Sequence, residues 1–309
     1  MAESALPLPR KSTNGRAVPL ALRAARGWLA LLTAAAPALA AKEATRLFFT
    51  PERKRGRAEP GPVAGLAPEP FSVRSAGNRV AAWSYGRGPT VLLVHGWAGT
   101  ARDWLPLAER LLATGKRVVI FDLPAHGLST GRTTALPEMA RAIHAVAHEA
   151  AFTAGGEMEA PRAVIGHSMG AAAVAMAARD GLAARSAVLL APVAFPMSFV
   201  DPIASLLRLR GGVHDGLVER IRIRAGGDLS RIDVVRAIAG CAIPGLVVHD
   251  RDDVRVPWAS GSALAQAWPG ARLVTTSGLG HRGVLEAPEV LDLVLAHVDR
   301  AAAPGPVIA

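Results

Sequence analysis

Residues 166–170 read Gly166-His167-Ser168-Met169-Gly170 and match G-x-S-x-G. The pattern gains meaning from its flanks: 162–165 read as a strand and 168–179 as a helix, so Ser168 falls on a sharp strand-to-helix turn. Such a turn lifts the serine oxygen above the sheet, and glycines two residues either side let strand and helix pass closely. Taken alone, the serine would read as an ordinary helix cap. A serine hydroxyl is a weak nucleophile, so acyl chemistry at Ser168 also requires a base and a group that orients the base.

Both are present downstream. His281 lies in the loop Ser277-Gly278-Leu279-Gly280-His281-Arg282-Gly283, after the last strand signal and before the last helix, where a base can reach over the strand ends. Three aspartates compete as the orienting acid in His249-Asp250-Arg251-Asp252-Asp253-Val254-Arg255-Val256-Pro257. Asp253, which opens D-x-x-V-P, is preferred over Asp252 and over Asp250, the nearest to the strand end. The tetrahedral intermediate of acyl transfer needs two backbone donors aimed at its oxygen. The Met169 N–H supplies one, and the Trp97 N–H of His95-Gly96-Trp97 is the natural second, with His95 left to hold the loop. No Cys/His cluster has metal-ligand spacing, and no metal or organic cofactor is expected. The single cysteine, Cys241, sits in an apolar stretch and reads as a buried structural thiol.

Several elements must position these residues. The runs 90–94, 117–121, 162–165, 186–190, 245–249 and 271–275 read as strands; helical patterns cover 102–113, 137–151, 168–179, 259–267 and 288–296. Segments 71–75 and 79–85, joined by Ala76-Gly77-Asn78, read as a hairpin. Alternation of strand and helix predicts a mostly parallel sheet covered on both faces. The interval from Pro192 to about Cys241 is too long for an ordinary connection and is expected to carry a lid. Phe195, Met197, Phe199, Leu206, Leu207 and Leu209 make it apolar; its arginines 208, 210, 220, 222 and 224 read as a solvated helix face.

The chain has 309 residues, half of them hydrophobic, and a net charge of +10. That charge is uneven. Residues 1–60 hold eleven Lys/Arg against four Asp/Glu, a net +7, and residues 61–309 hold twenty-four against twenty-one, a net +3. The body lacks basic runs interleaved with aromatics, which argues against nucleic-acid binding. Residues 1–19 read as disordered, 20–41 as a helix, 51–70 as a Pro-rich linker and 301–309 as a tail. Three readings of 20–41 stand side by side: a basic helix on an anionic membrane surface, a helix packed on the body, and an export signal ending at Ala38-Leu39-Ala40. The first two rank above the third. The expected location is therefore cytoplasmic, with peripheral membrane contact, and export is the alternative.

The pattern over 71–300 resembles the α/β-hydrolase superfamily, within its bacterial esterase, lipase and serine-aminopeptidase-like group. The resemblance rests on His95-Gly96-Trp97, on Asp122-Leu123-Pro124-Ala125-His126-Gly127-Leu128-Ser129 as D-x-P-x-H-G-x-S, on Gly166–Gly170, on Asp253 to Pro257, and on Gly280-His281. It implies an α/β-hydrolase fold with an eight-stranded, mostly parallel sheet flanked by helices, a triad in the order Ser168, Asp253, His281, and a small cap after the sixth strand at about 193–241. Asp250 departs from the glycine common in H-G-x-x-D, and residues 1–70 fall outside the shared core. Relatives of this fold that cleave alkyl halides or epoxides use aspartate as nucleophile, so Ser168 implies acyl transfer instead. The expected activity is hydrolysis of a carboxylic ester, thioester or amide on a small acyl substrate. The alternative is a catalytically silent binding protein of the same fold.

Overall fold

The computed structural model describes residues 20–52, 59–152 and 159–300. Residues 1–19, read as disordered, the triplet Arg53-Lys54-Arg55 of the expected linker and the tail at 301–309 lie outside the described residues.

Two helices come first, α1 (Leu20–Ala35) and α2 (Pro37–Phe48). The single helix expected over 20–41 is thus a pair. Proline disfavours helical backbone at the residue before it, and Ala36 is extended, with φ −155° and ψ 77°. Pro37 then occupies the first position of α2, where no backbone donor is needed.

Strands β1 (Glu69–Ser75) and β2 (Asn78–Tyr85) form the expected hairpin. Strands and helices then alternate: β3 (Thr90–Val94), α3 (Leu105–Ala113), β4 (Arg117–Phe121), α4 (Leu136–Phe152), β5 (Ala163–His167), α5 (Met169–Arg179) and β6 (Ala187–Leu190). The long excursion holds α6 (Val200–Leu207), α7 (Gly212–Arg224) and α8 (Val234–Ala239). The chain returns through β7 (Gly245–Asp250), α9 (Trp258–Ala267), β8 (Arg272–Thr276), the single turn α10 (Gly280–Gly283) and α11 (Pro288–Arg300).

The eight strands form one sheet in the order β1-β2-β4-β3-β5-β6-β7-β8. β2 is antiparallel to both its neighbours, and the strands from β4 to β8 run parallel. Every residue of β3, β4, β5, β6 and β7 is buried, as continuous apolar runs require of a sheet covered on both faces. The period-2 alternation persists inside those runs. Leu92, Val94, Val119 and Phe121 join the core under α4 and α5, whereas Val91, Leu93, Val118 and Ile120 join the core under α3 and α11. Six of the eleven residues of α5 are alanine, and its residues 170–177 are buried, so it lies close on the sheet.

Patterning alone set residues 1–70 apart from the body. In the structure Leu29 of α1 and Ala40, Ala41 and Ala44 of α2 belong to the same core as α4 and α5. α2 packs on α7 with little space between backbones: a Cβ at Gly216 would stand 2.7 Å from the Ala41 Cβ.

The excursion expected as a cap over 193–241 divides in two. The turn Pro196–Phe199, α6 and α7 stand over the carboxyl ends of the strands, whereas α8 packs against α5 and α9 in the body. Among the described residues no helix is long and apolar enough to cross a membrane.

Candidate active site

Ser168 joins β5 to α5 with φ 55° and ψ −120°, a left-handed backbone that costs about 1–3 kcal/mol for a non-glycine residue. The two flanking glycines are what the turn requires. A Cβ at Gly166 would come within 2.6 Å of the Ala171 Cα, and one at Gly170 within 2.2 Å of the His95 carbonyl oxygen. Strain collects along this edge of the sheet: Ala98 after β3, Ala125 after β4, Ser168 after β5 and Ala191 after β6 all have positive φ. Such clustering accompanies sites where a group is held against its preference.

His281, on α10, places its Nε2 3.0 Å from the Ser168 Oγ and its Nδ1 2.7 Å from the Asp253 Oδ2. The three residues called from spacing are therefore joined by hydrogen bonds across 113 and 28 positions of chain. Asp253 alone of the three competing aspartates contacts the His281 ring. Its Oδ1 accepts the Arg255 and Val256 N–H groups at 2.8 and 2.9 Å. Burial by itself would raise the Asp253 carboxyl; hydrogen bonds from His249, His281 and the Val256 N–H outweigh it and hold the group well below the usual carboxylate range.

The other two aspartates hold the histidine's loop. Asp250 is fully buried and accepts from the Thr276 hydroxyl at 2.7 Å and from the N–H groups of Asp252, Gly280 and Leu279 at 2.9, 3.0 and 3.1 Å. Asp252 accepts the Gly278 N–H at 2.8 Å. Burial opposes ionisation of Asp250, and these donors win, lowering its pKa. Sequence reasoning treated the two as rival acids and missed this clamping role. Their spacing carries a signal for it, because Asp250 ends β7 directly beside Thr276 at the end of β8.

His167, next to the serine, donates from Nε2 to the His281 carbonyl oxygen at 2.9 Å. Burial, reinforced by the neighbouring His281, pushes its pKa down to about 3, so it is a neutral strut. The motif His95-Gly96-Trp97 is braced by two further histidines. His95 donates to the Gly96 carbonyl oxygen (2.7 Å) and accepts the Leu123 N–H (2.9 Å). His126 donates to the Pro124 carbonyl oxygen (3.0 Å) and accepts the Ala98 N–H (3.1 Å). Burial, with His95 adjacent, takes the His126 pKa down to about 3, as its acceptor role requires. Asp122 completes the brace, receiving the Ala101 and Leu128 N–H groups at 2.8 and 2.7 Å. Burial keeps its carboxyl raised despite those donors.

Above Ser168 lies a cavity of about 290 Å³ with a mostly apolar lining. Trp97, Met169 and His281 reach it from the sheet edge, and Met197, Phe199 and Ile203 from the cap. Among the described residues, the Trp97 and Met169 N–H groups have no hydrogen-bond acceptor within the chain. Two walls escaped sequence reasoning. Phe48 and Phe49, at the end of α2, line the cavity from a segment read as outside the core. Arg224, read as part of a solvated face, instead lines the cavity; it pairs with Glu138 at 3.0 Å and stacks 4.4 Å over the Phe49 ring. The adjacent aromatics Phe48-Phe49, in a chain with only seven Phe, were the available signal. Cys241 is buried in the body, away from the cavity, and burial raises its thiol pKa.

A profile described as the alpha/beta hydrolase family matches residues 91–292. The chain belongs to this family. It is 30% identical over 259 residues to the dihydrolipoyllysine-residue acetyltransferase component of an acetoin cleaving system from Pseudomonas putida, a match covering 73% of this chain and 67% of that one. It is 29% identical over 235 residues to a pimeloyl-[acyl-carrier protein] methyl ester esterase from Xanthomonas campestris, covering 63% and 89%. Among solved structures, it resembles an esterase of Pyrococcus furiosus with TM-score 0.64 and 19% identity, over 82% of this chain and 98% of that one. An esterase from a Rhodococcus species aligns with TM-score 0.55 and 20% identity, over 74% and 98%. At such identities these structures speak to the shared fold.

Proposed function

We propose that this alpha/beta hydrolase is a serine esterase that acts on a carboxylic ester with an apolar acyl group, through an acyl-enzyme on Ser168. The observation that carries the reading is the hydrogen-bonded series Asp253, His281, Ser168, with links of 2.7 and 3.0 Å, at the floor of an apolar cavity. Esterases among the similar sequences and folds agree with it.

In this mechanism the His281 Nδ1–H donates to Asp253, which leaves Nε2 free to accept the Ser168 proton. The Ser168 Oγ attacks the ester carbonyl carbon, and the carbonyl oxygen takes up the negative charge. The Trp97 and Met169 N–H groups, which have no acceptor of their own among the described residues, donate to that oxygen. Collapse breaks the carbon–oxygen bond, and His281 returns the proton to the departing alcohol. A water then gives its proton to His281 and attacks the acyl carbon, releasing the acid and restoring Ser168. Asp253 stays ionised throughout, as its depressed pKa permits.

The acyl group fits the cavity under Met197, Phe199 and Phe49, where burying each methylene contributes about 0.8 kcal/mol. The cation Arg224 is already neutralised by Glu138, so this wall does not call for a charged acyl group.

Labelling with a fluorophosphonate probe tests the reading. Strong labelling of the wild type is expected, with none in Ser168→Ala or His281→Ala. Ser168→Ala should also lower kcat on p-nitrophenyl esters by roughly a millionfold. Equal turnover by wild type and Ser168→Ala would overturn the proposal.

A further inference from the structure

Helix α1 carries an apolar stripe that no described residue covers. Leu20, Ala24, Trp28 and Leu31 are spaced three or four residues apart and share one side of the helix. Leu20 is 80% exposed, Leu31 68% and Trp28 52%. The opposite side, around Leu29, is the one that packs on the body. Large apolar groups grouped in this way on a surface mark a binding face.

A groove between the Leu29 side of α1 and the end of α6 meets the edge of the stripe at Arg23. Arg23 and Arg26 form one wall; Arg208 and Arg210 form the other. Among the described residues none of the four makes an ion pair. Arg26 donates to the Leu206 carbonyl oxygen at 2.8 Å, which ties α1 to the cap but leaves the charge uncompensated. Arg208 ends α6 in left-handed backbone, φ 59°. From there Leu207 and Leu209 turn inward, while Arg208 and Arg210 stay at the surface beside the half-exposed Leu206.

We infer that this face docks the protein on an anionic lipid bilayer, with the four arginines on headgroup phosphates and Leu20, Trp28, Leu31 and Leu206 in the interface. An apolar stripe flanked by arginines is the pattern of a helix that lies in the membrane surface. At sixteen residues with two arginines, α1 does not span the membrane. Charge decides between occupants. A two-fold dimer through this face would set the same arginines of two copies against each other, whereas an anionic bilayer satisfies charge and apolar surface together. Helix α6 links this face to the cavity, since Ile203 lines the cavity and Leu206 stands at the docking face one turn later.

The test uses the full chain in co-sedimentation with phosphatidylcholine vesicles, with and without phosphatidylglycerol. Wild type is expected to bind only the phosphatidylglycerol vesicles and to release at high salt. Arg23→Gln, Arg26→Gln, Arg208→Gln and Arg210→Gln combined should weaken partitioning by about a hundredfold or more. Trp28→Ser with Leu31→Ser should weaken it at unchanged net charge. Thermal unfolding by circular dichroism checks that both variants are folded. Equal vesicle binding by the arginine variant and wild type would overturn the inference, because residues outside this face would then carry the binding. Absence of any preference for phosphatidylglycerol would overturn it too. So would competition by free glycerol phosphate at its own low concentration, which would mark a small-anion site. Sedimentation velocity showing a dimer that the Trp28/Leu31 variant breaks, without vesicle binding, would assign the face to a second copy instead. None of these readouts depends on esterase activity.

Discussion

Replacing Asp253 by asparagine separates charge from shape at the candidate site, and the surrounding hydrogen bonds dictate which way the new amide turns. The Asp253 Oδ1 accepts two backbone N–H groups, from Arg255 and Val256, at 2.8 and 2.9 Å. In Asp253→Asn the amide oxygen must take that position, since an NH₂ there would face two donors. The NH₂ is then left at the Oδ2 position, 2.7 Å from the His281 Nδ1. It donates to Nδ1, so the imidazole proton moves to Nε2, which then donates to the Ser168 Oγ instead of accepting its proton. The base is present but in the wrong tautomer, and loss of this kind lowers kcat by about four orders of magnitude, or about 5.5 kcal/mol of barrier. Both backbone N–H groups keep their acceptor, and His249, which loses the carboxylate 3.4 Å away, keeps the Val256 carbonyl oxygen at 2.9 Å, so the stability cost should stay well below that of removing the side chain. Asp253→Ala strands those donors in a buried site and should cost about 2–4 kcal/mol of folding stability in addition. The assay is steady-state turnover of p-nitrophenyl butyrate, with urea unfolding on the same samples. An Asp253→Asn enzyme that keeps a tenth of wild-type kcat would refute both the tautomer argument and the assignment of Asp253.

Asp250→Asn tests the clamp on the histidine loop: one acceptor position turns donor against Leu279 or Gly280, His281 is misplaced, and kcat should fall by about a hundredfold with KM nearly unchanged; an effect larger than that of Asp253→Asn would exchange the roles of the two aspartates. Acid should destabilise the fold through His126 and His167, whose pKa values are lowered to about 3 when folded. The unfolded chain binds their protons near pH 6.5 and the folded chain does not, so stability is intact above about pH 6.5 and is lost toward pH 3, by roughly 1.4 kcal/mol per pH unit per histidine. Unfolding midpoints from pH 7 to pH 4 check this, and a flat profile would contradict it. Phe49→Ala removes a wall of the cavity and should raise KM for longer acyl chains more than for acetate, by about tenfold; equal effects on all chain lengths would place the acyl group elsewhere.

What the sequence by itself determined is what short-range pattern can encode. The strands β3 and β4 were legible to the residue because continuous apolar runs between Gly, Pro and Asp punctuation have few other readings. Ser168 was legible because G-x-S-x-G is a local steric requirement, met here by Gly166 against Ala171 and Gly170 against His95. His281 and the group of aspartates were legible by chain order alone. The choice among Asp250, Asp252 and Asp253 rested on a motif, because residues so close in sequence differ only in where a tight turn aims them. The tertiary structure aims Asp253 at the His281 ring and the other two at its loop. The break at Ala36 carried its own sequence signal in Pro37, but the partner of α2 did not. Alanine-rich helices look alike in sequence, and only packing reveals that Ala41 meets Gly216 and so brings Phe48 and Phe49 to the cavity. Arg224 makes the same point in reverse. Its helical spacing suits a solvated face, yet Glu138, 86 residues earlier, and the Phe49 ring draw it inward, since a partly buried charge is held by partners that spacing along one helix cannot show.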